Sequence, residues 1–186
     1  IVDSYGPYVI ALTDGMILEE NMLEMGDGFV SLLEKENYAV RGCIFEDLDN
    51  TSQARDAYSR MTNCFAELCT VYPQRKIYSD SDVRYVQSCI ACVRQGEDTV
   101  ANCLLPIRKL KETTDGDILI ETLCTYLLDA ESNSQRTGTL LYLHKNTVNY
   151  RLNKIRSILK CDLIQMPATL AVYQAAAIYR ILDSLG

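Results

Sequence analysis

Between Ser132 and Cys161 the chain carries six Lys or Arg residues, Arg136, Lys145, Arg151, Lys154, Arg156 and Lys160, and no Asp or Glu. The chain as a whole has a net charge of -7. Interleaved with those cations are Asn146, Thr147, Asn149, Tyr150 and Asn153, whose amides, hydroxyl and phenol both donate and accept hydrogen bonds. Cations suit phosphates and amides suit the edges of bases, so the pattern fits an element laid against nucleic acid.

Other chemistry is sparse. A single histidine, His144, excludes a His-x-x-x-His metal pair and strains any Ser-His-Asp arrangement; it reads better as a turn or cap residue. There is no Gly-x-Gly-x-x-Gly and no Walker sequence. Cys89-Ile90-Ala91-Cys92 has redox spacing, but it falls in a helical stretch without the flanks of a thioredoxin-like site, and packing is the better reading. Carboxylates such as Glu19, Glu20, Glu34, Glu36, Glu46, Asp47 and Asp49 are scattered, and nothing in their spacing selects an acid-base pair or a magnesium site. The expectation is a protein with no catalytic residues, no metal and no cofactor.

The elements that must hold the basic stretch are legible from periodicity. Asp117 caps a helix running from Ile118 to Ala130, with Leu119, Leu123, Tyr126, Leu127 and Ala130 on one face. Asn133 or Ser134 caps the next helix, which runs to about Leu141. Tyr142-Leu143-His144 turns tightly into a third, from Lys145 to about Leu159. Two helices across a three-residue turn form a helix-turn-helix. Gly138 costs about 1 kcal/mol of helix propensity relative to Ala, which fits a point of close approach within the pair.

At about 100° per residue, Val148, Leu152, Ile155 and Leu159 share a narrow core arc of the third helix. The opposite arc holds Asn146, Tyr150, Asn153 and Ser157, flanked by Asn149 and Lys154. Lys145 and Thr147 lie in the first turn, which comes nearest to base edges when such a helix enters a major groove. Base readout is therefore expected from Lys145, Asn146, Thr147, Asn149, Tyr150 and Asn153. Phosphate contacts are expected from Ser134, Arg136, Lys154, Arg156 and Lys160. Arg151 projects near the core edge, where a salt bridge to Asp117 or Glu121 competes with a phosphate contact.

Upstream, the pattern alternates. Tyr8 to Leu12 reads as a strand closed by Thr13-Asp14-Gly15, Met25 to Asn37 as a helix, and Tyr38 to Phe45 as a second strand. Thr51 to Val71 reads as one long helix stopped by Pro73, Arg75 to Tyr78 as a third strand, and Ser81 to Gln95 as a helix. That succession predicts an α/β (α+β) sandwich, with helices packed on a sheet, ahead of an all-α helix-turn-helix domain. Asn102 to Lys111 connects the two, and Glu112 to Asp117 is the expected domain boundary.

Charge follows the same division. Residues 1–131 sum to -12, residues 132–161 to +6 and residues 162–186 to -1. The local asymmetry outweighs a mean pI near 4.8. The eight cysteines, mostly set among apolar residues, read as buried cytosolic thiols, and no apolar run approaches the roughly 20 residues that span a bilayer. A soluble, cytoplasmic protein is expected. The start at Ile1, directly before an apolar run, reads as the C-terminal piece of something longer.

The string His144-Lys145-Asn146-Thr147-Val148-Asn149-Tyr150-Arg151-Leu152-Asn153-Lys154-Ile155 resembles the C-terminal helix-turn-helix domain of PucR and CdaR bacterial transcriptional regulators. Leu119 to Leu123, Tyr126-Leu127, Asn133, Cys161-Asp162-Leu163 and a closing helix from Ala168 to Leu182 belong to the same likeness. Residues 1–111 resemble, more weakly, the degenerate GGDEF-like domain of these regulators, through Tyr8 to Leu12, Arg41-Gly42-Cys43, Ala57-Tyr58 and Ile77 to Asp80. No Gly-Gly-Asp/Glu-Glu-Phe string is present, so the cyclase hairpin is missing. The resemblance implies a non-enzymatic regulator with its DNA-binding domain in residues 117–186. It would bind operator DNA as a homodimer or higher oligomer, without a membrane, under an effector held by an upstream region. The rival expectation is a nucleotide-sensing or cyclase-related protein with an accessory helical domain.

Overall fold

A computed structural model describes residues 2–5, 8–11 and 19–184. Strands β1 (Val2–Tyr5) and β2 (Tyr8–Ala11) form an antiparallel hairpin. Strands β3 (Gly42–Ile44) and β4 (Ile77–Ser79) form a parallel pair in the register Gly42 to Ile77 and Ile44 to Ser79. Among the described residues these are two separate two-stranded sheets, where one helix-covered sheet was expected. The rest is helical, and the strands are only three or four residues long. The expected turn at Thr13-Asp14-Gly15 and the end of the first strand at Leu12 lie outside the described residues.

Helix α1 (Glu19–Lys35) begins before the expected Met25 and packs on β3 and β4. Gly26 lies inside it, where the strands come too close for a side chain. A Cβ there would stand 2.7 Å from Ile44 Cδ1 and 3.2 Å from Ile77 Cγ1. The expected helix from Thr51 to Val71 is two helices, α2 (Thr51–Thr62) and α3 (Phe65–Val71). At the break the Thr62 hydroxyl donates to the Tyr58 carbonyl at 3.0 Å and the Asn63 amide to the Ser59 hydroxyl at 3.3 Å. Such polar back-bonding competes with helix continuation. Helix α4 (Asp80–Arg94) follows β4 directly through a capping box: Ser79 Oγ accepts from Asp82 N–H, and Asp82 Oδ2 accepts from Ser79 N–H.

The connecting segment is also two short helices, α5 (Glu97–Cys103) and α6 (Leu105–Lys111), the second opening on Pro106. Helix α7 (Gly116–Cys124) runs on into a π-helical turn (Thr125–Asp129), followed by α8 (Ser134–Leu141), α9 (Lys145–Leu159) and α10 (Ala168–Asp183).

The expected boundary at residues 112–117 is a tight bend, in which a Cβ on Gly116 would lie 2.6 Å from the Leu110 carbonyl oxygen. The hydrophobic core continues across it. Leu68, Val71, Val86 and Cys89 from α3 and α4 join Leu119, Leu123, Leu152, Ile155 and Ile178 in one cluster. Helix α10 makes this possible, because Ala175, Ala176 and Ala177 let its neighbours approach closely. It is tied upstream by Tyr173 Oη to Tyr72 Oη at 3.1 Å and by Arg180 Nη1 donating to the Val71 carbonyl at 2.7 Å. Arg180 also clamps Asp129 of the π-helical turn, at 2.9 and 2.5 Å.

All eight cysteines are free thiols. Burial pushes Cys43 and Cys124 up to about 12, and Cys64 and Cys89 up to about 11. Those four are protonated at neutral pH. No helix among the described residues is long and apolar enough to cross a membrane.

Candidate nucleic-acid interface

The approach to the basic stretch is shaped by the backbone. Glu131 and Ser132 both adopt left-handed φ, of 52° and 59°, and reverse the chain after the π-helical turn. Asn133 then caps α8, its Oδ1 accepting from Gln135 N–H at 2.9 Å and Arg136 N–H at 3.1 Å. Of the two cap candidates Asn133 therefore fills the role, and Ser134 is the first, half-buried residue of the helix.

Helix α8 ends on Tyr142, left-handed at φ 55°, and Leu143 N–H closes the turn on the Gly138 carbonyl at 2.8 Å. A Cβ on Gly138 would stand 2.6 Å from the Leu143 carbonyl oxygen. Glycine is thus required by the turn itself rather than by a second helix crossing over it. His144 caps α9, its Nδ1 accepting from Asn146 N–H at 3.2 Å. This agrees with its reading as a cap.

Helix α9 buries Val148, Leu152 and Ile155, while Leu159 is half-buried against the same core. Its other side presents Lys145, Asn146, Thr147, Tyr150, Asn153 and Ser157 to solvent, with Asn149 half-buried at the edge. Tyr150 is 68% exposed, which is unusual for an aromatic residue with nothing stacked on it. Five of the six residues expected to read bases therefore form one open surface, and the sixth borders it.

The expected phosphate contacts divide. Lys154 Nζ pairs with both oxygens of Asp115, at 2.7 and 2.8 Å, across the bend before α7. Hydrogen bonding to Lys154 holds the Asp115 carboxyl below its ordinary range, and the same bond raises Lys154. Arg156 donates through Nε to the Asp162 carbonyl at 2.9 Å and through Nη1 to Asn153 Oδ1 at 2.8 Å. Arg136 pairs with Glu131 at 3.4 Å on an exposed surface. Lys145 and Lys160 make no ion pair among the described residues, and both are exposed.

Arg151 takes neither expected acidic partner. Its Nη1 donates to the Thr122 hydroxyl at 3.2 Å, pinning α9 to α7. The partners Asp115, Glu131, Asp162 and Thr122 were not singled out by sequence. Asp115 and Lys154 are 39 residues apart, and no local pattern signals that pairing.

Outside this surface, an open cleft of about 380 Å³ lies between α7 and α10, edged by Asp117, Glu121 and Asp183. Those carboxylates repel phosphate. Among the described residues no three metal-ligating side chains converge.

Two helices joined by a three-residue turn, the second buried on one face and open and acid-free on the other, define a helix-turn-helix domain. Residues 119–178 match the family model described as the PucR C-terminal helix-turn-helix domain. The matched span opens in α7 and closes within α10, so it takes in both the lead helix and the helix that ties the domain to the upstream part. No curated protein and no solved structure matches the chain.

Proposed function

We propose that the chain is a sequence-specific DNA-binding transcription regulator of the PucR type, acting in the cytoplasm and without catalysis. The observation that carries this reading is the open face of α9, where Lys145, Asn146, Thr147, Tyr150 and Asn153 stand free of acids on a helix locked at both ends. The match over residues 119–178 supports it. Asn146 and Asn149 suit adenine, Thr147 suits a thymine methyl or an acceptor, and Lys145 suits guanine or phosphate. Lys160 and the Ser134 hydroxyl, at the edge of the same surface, hold the backbone.

The ion pairs refine the roles of the remaining cations. Lys154 and Arg136 reach phosphate only by leaving Asp115 and Glu131, so they add affinity late or not at all. Residues 1–111 act in this reading as the sensor or relay domain, a degenerate GGDEF-like unit. One recognition helix covers few base pairs, so two copies on repeated or palindromic half-sites complete the readout.

The test is selection of bound duplexes from a random pool with the full chain, followed by a salt titration on the best duplex. A copy that uses only Lys145 and Lys160 gives a log-log slope of roughly -2, at about -0.9 per phosphate neutralised. No enriched duplex, or binding indifferent to salt, overturns the reading.

A further inference from the structure

We infer that α1 is the face through which two copies of this chain pair, lying antiparallel across Met25, Gly28, Phe29 and Leu32. Met25, Phe29 and Leu32 are 51%, 55% and 61% exposed. They belong to one uninterrupted α-helix, Glu19–Lys35, and at about 100° per residue they fall within an arc of about 60°. The adjoining side of the helix is already used, because Val30 is buried and Gly26 lies against Ile44 and Ile77. The open stripe is therefore a second apolar face, beside the one that packs on the strands.

The order of residues along the stripe matches itself when reversed. A two-fold axis between Gly28 and Phe29 sets each Met25 opposite the other copy's Leu32, and each Phe29 over the other copy's Gly28. A large ring then meets the one position of the stripe that has no side chain. Nothing inside the chain accounts for that glycine: a Cβ on Gly28 would meet nothing within 4 Å, and glycine weakens a helix. Gly26, by contrast, is held to glycine by the strands.

Charge gives the pairing its direction. Glu24 and Lys35 are exposed and make no ion pair among the described residues. They lie within about 20° of each other around the helix, on the flank of the stripe away from the strands, while Asp27 lies on the opposite side of the helix. Within one copy they are about 16 Å apart along the axis, too far to pair. The two-fold axis turns each flank onto the same flank of the other copy and reverses its direction. Each Glu24 then comes within about 3 Å, along the axis, of the other copy's Lys35. A different protein segment would require neither the reversal symmetry nor this placement of charges, so the pattern selects a second copy.

Three apolar side chains and one flanking ion pair at each end fall short of the roughly 800 Å² per partner of a standard interface, so the dimer is reversible, with a Kd between about 1 μM and 1 mM. It supplies a surface for the paired copies that the DNA-binding reading calls for.

The test is sedimentation equilibrium of the full chain, without DNA, at low salt and with a thiol reductant. Phe29→Ser, at a half-exposed position, should abolish the association. Glu24→Lys alone and Lys35→Glu alone should each weaken it roughly 2- to 30-fold through two symmetry-related pairs. The double variant Glu24→Lys with Lys35→Glu should restore it. A wild-type chain that stays monomeric up to about 1 mM overturns the inference. So does a dimer that Phe29→Ser leaves intact, which places the contact elsewhere. A double variant no tighter than the single ones overturns it too, because the face then meets a different segment. Each of these failures leaves the DNA-binding reading standing, since no duplex is present.

Discussion

In the first half of the molecule polar side chains are consumed by structure, and on α9 they are left over. Asp80 takes Arg60 at 3.1 Å and Arg84 at 2.6 Å, Asp82 takes Arg75 at 2.8 Å, and the Arg41 guanidinium is spread over the Pro73 carbonyl and the Tyr78 hydroxyl. On α9 most cations are engaged in the same way, yet Asn146, Thr147 and Tyr150 face solvent, and their side chains make no hydrogen bond among the described residues. The difference teaches that the charges of α9 are largely spent within the fold, while the neutral groups between them are left unengaged.

The largest effect is expected where a polar contact is most committed. Asp129 is 4% exposed and bonded to Arg180. Asp129→Ala leaves the largely buried Arg180 guanidinium with only the Val71 carbonyl and should cost about 3 kcal/mol, read by urea denaturation. If it behaves like a surface change, the shared core across α10 is not the tie it is taken to be.

A second contrast uses two glycines. Gly138→Val drives a side chain into the Leu143 carbonyl and should cost about 1 to 3 kcal/mol. Gly28→Ala in α1 meets nothing within 4 Å and should gain up to about 1 kcal/mol from helix propensity. Equal outcomes in the same denaturation series would remove the special status of the turn.

Smaller still is the effect of freeing a cation. Asp115→Asn releases Lys154 toward phosphate and should steepen the salt slope by about 0.9. The sign of the linked pH effect follows from the depressed carboxyl. Whatever stability the exposed Asp115 pair contributes is present above the ordinary value of 3.8 and is lost as pH falls through the lower folded-state value. A carboxyl titration by NMR that places Asp115 at or above 3.8 would contradict the pairing.

Legibility in the sequence tracked how far each cause shows in residue spacing. The core face of α9 and the turn at Tyr142 to His144 follow from spacing within a few residues, and both emerged as expected. The break at Asn63-Cys64 coincides with side-chain back-bonding and the split of α5 from α6 with Pro106, local causes that hydrophobic periodicity does not register. The single sheet was overread because short apolar runs at Tyr8 and Tyr38 do not reveal their partners. At the site, the open face was readable and the charge ledger was not, since Asp115 and Glu131 reach Lys154 and Arg136 only after folding.

The central claim is that neutral residues of α9 choose the DNA. It is tested most directly by measuring Asn146→Ala against every single-base change of the selected duplex. Lost discrimination at one base pair, worth about 1 to 3 kcal/mol, with other positions unchanged, is the expected result. Uniform weakening across all sequences, or none, would contradict it.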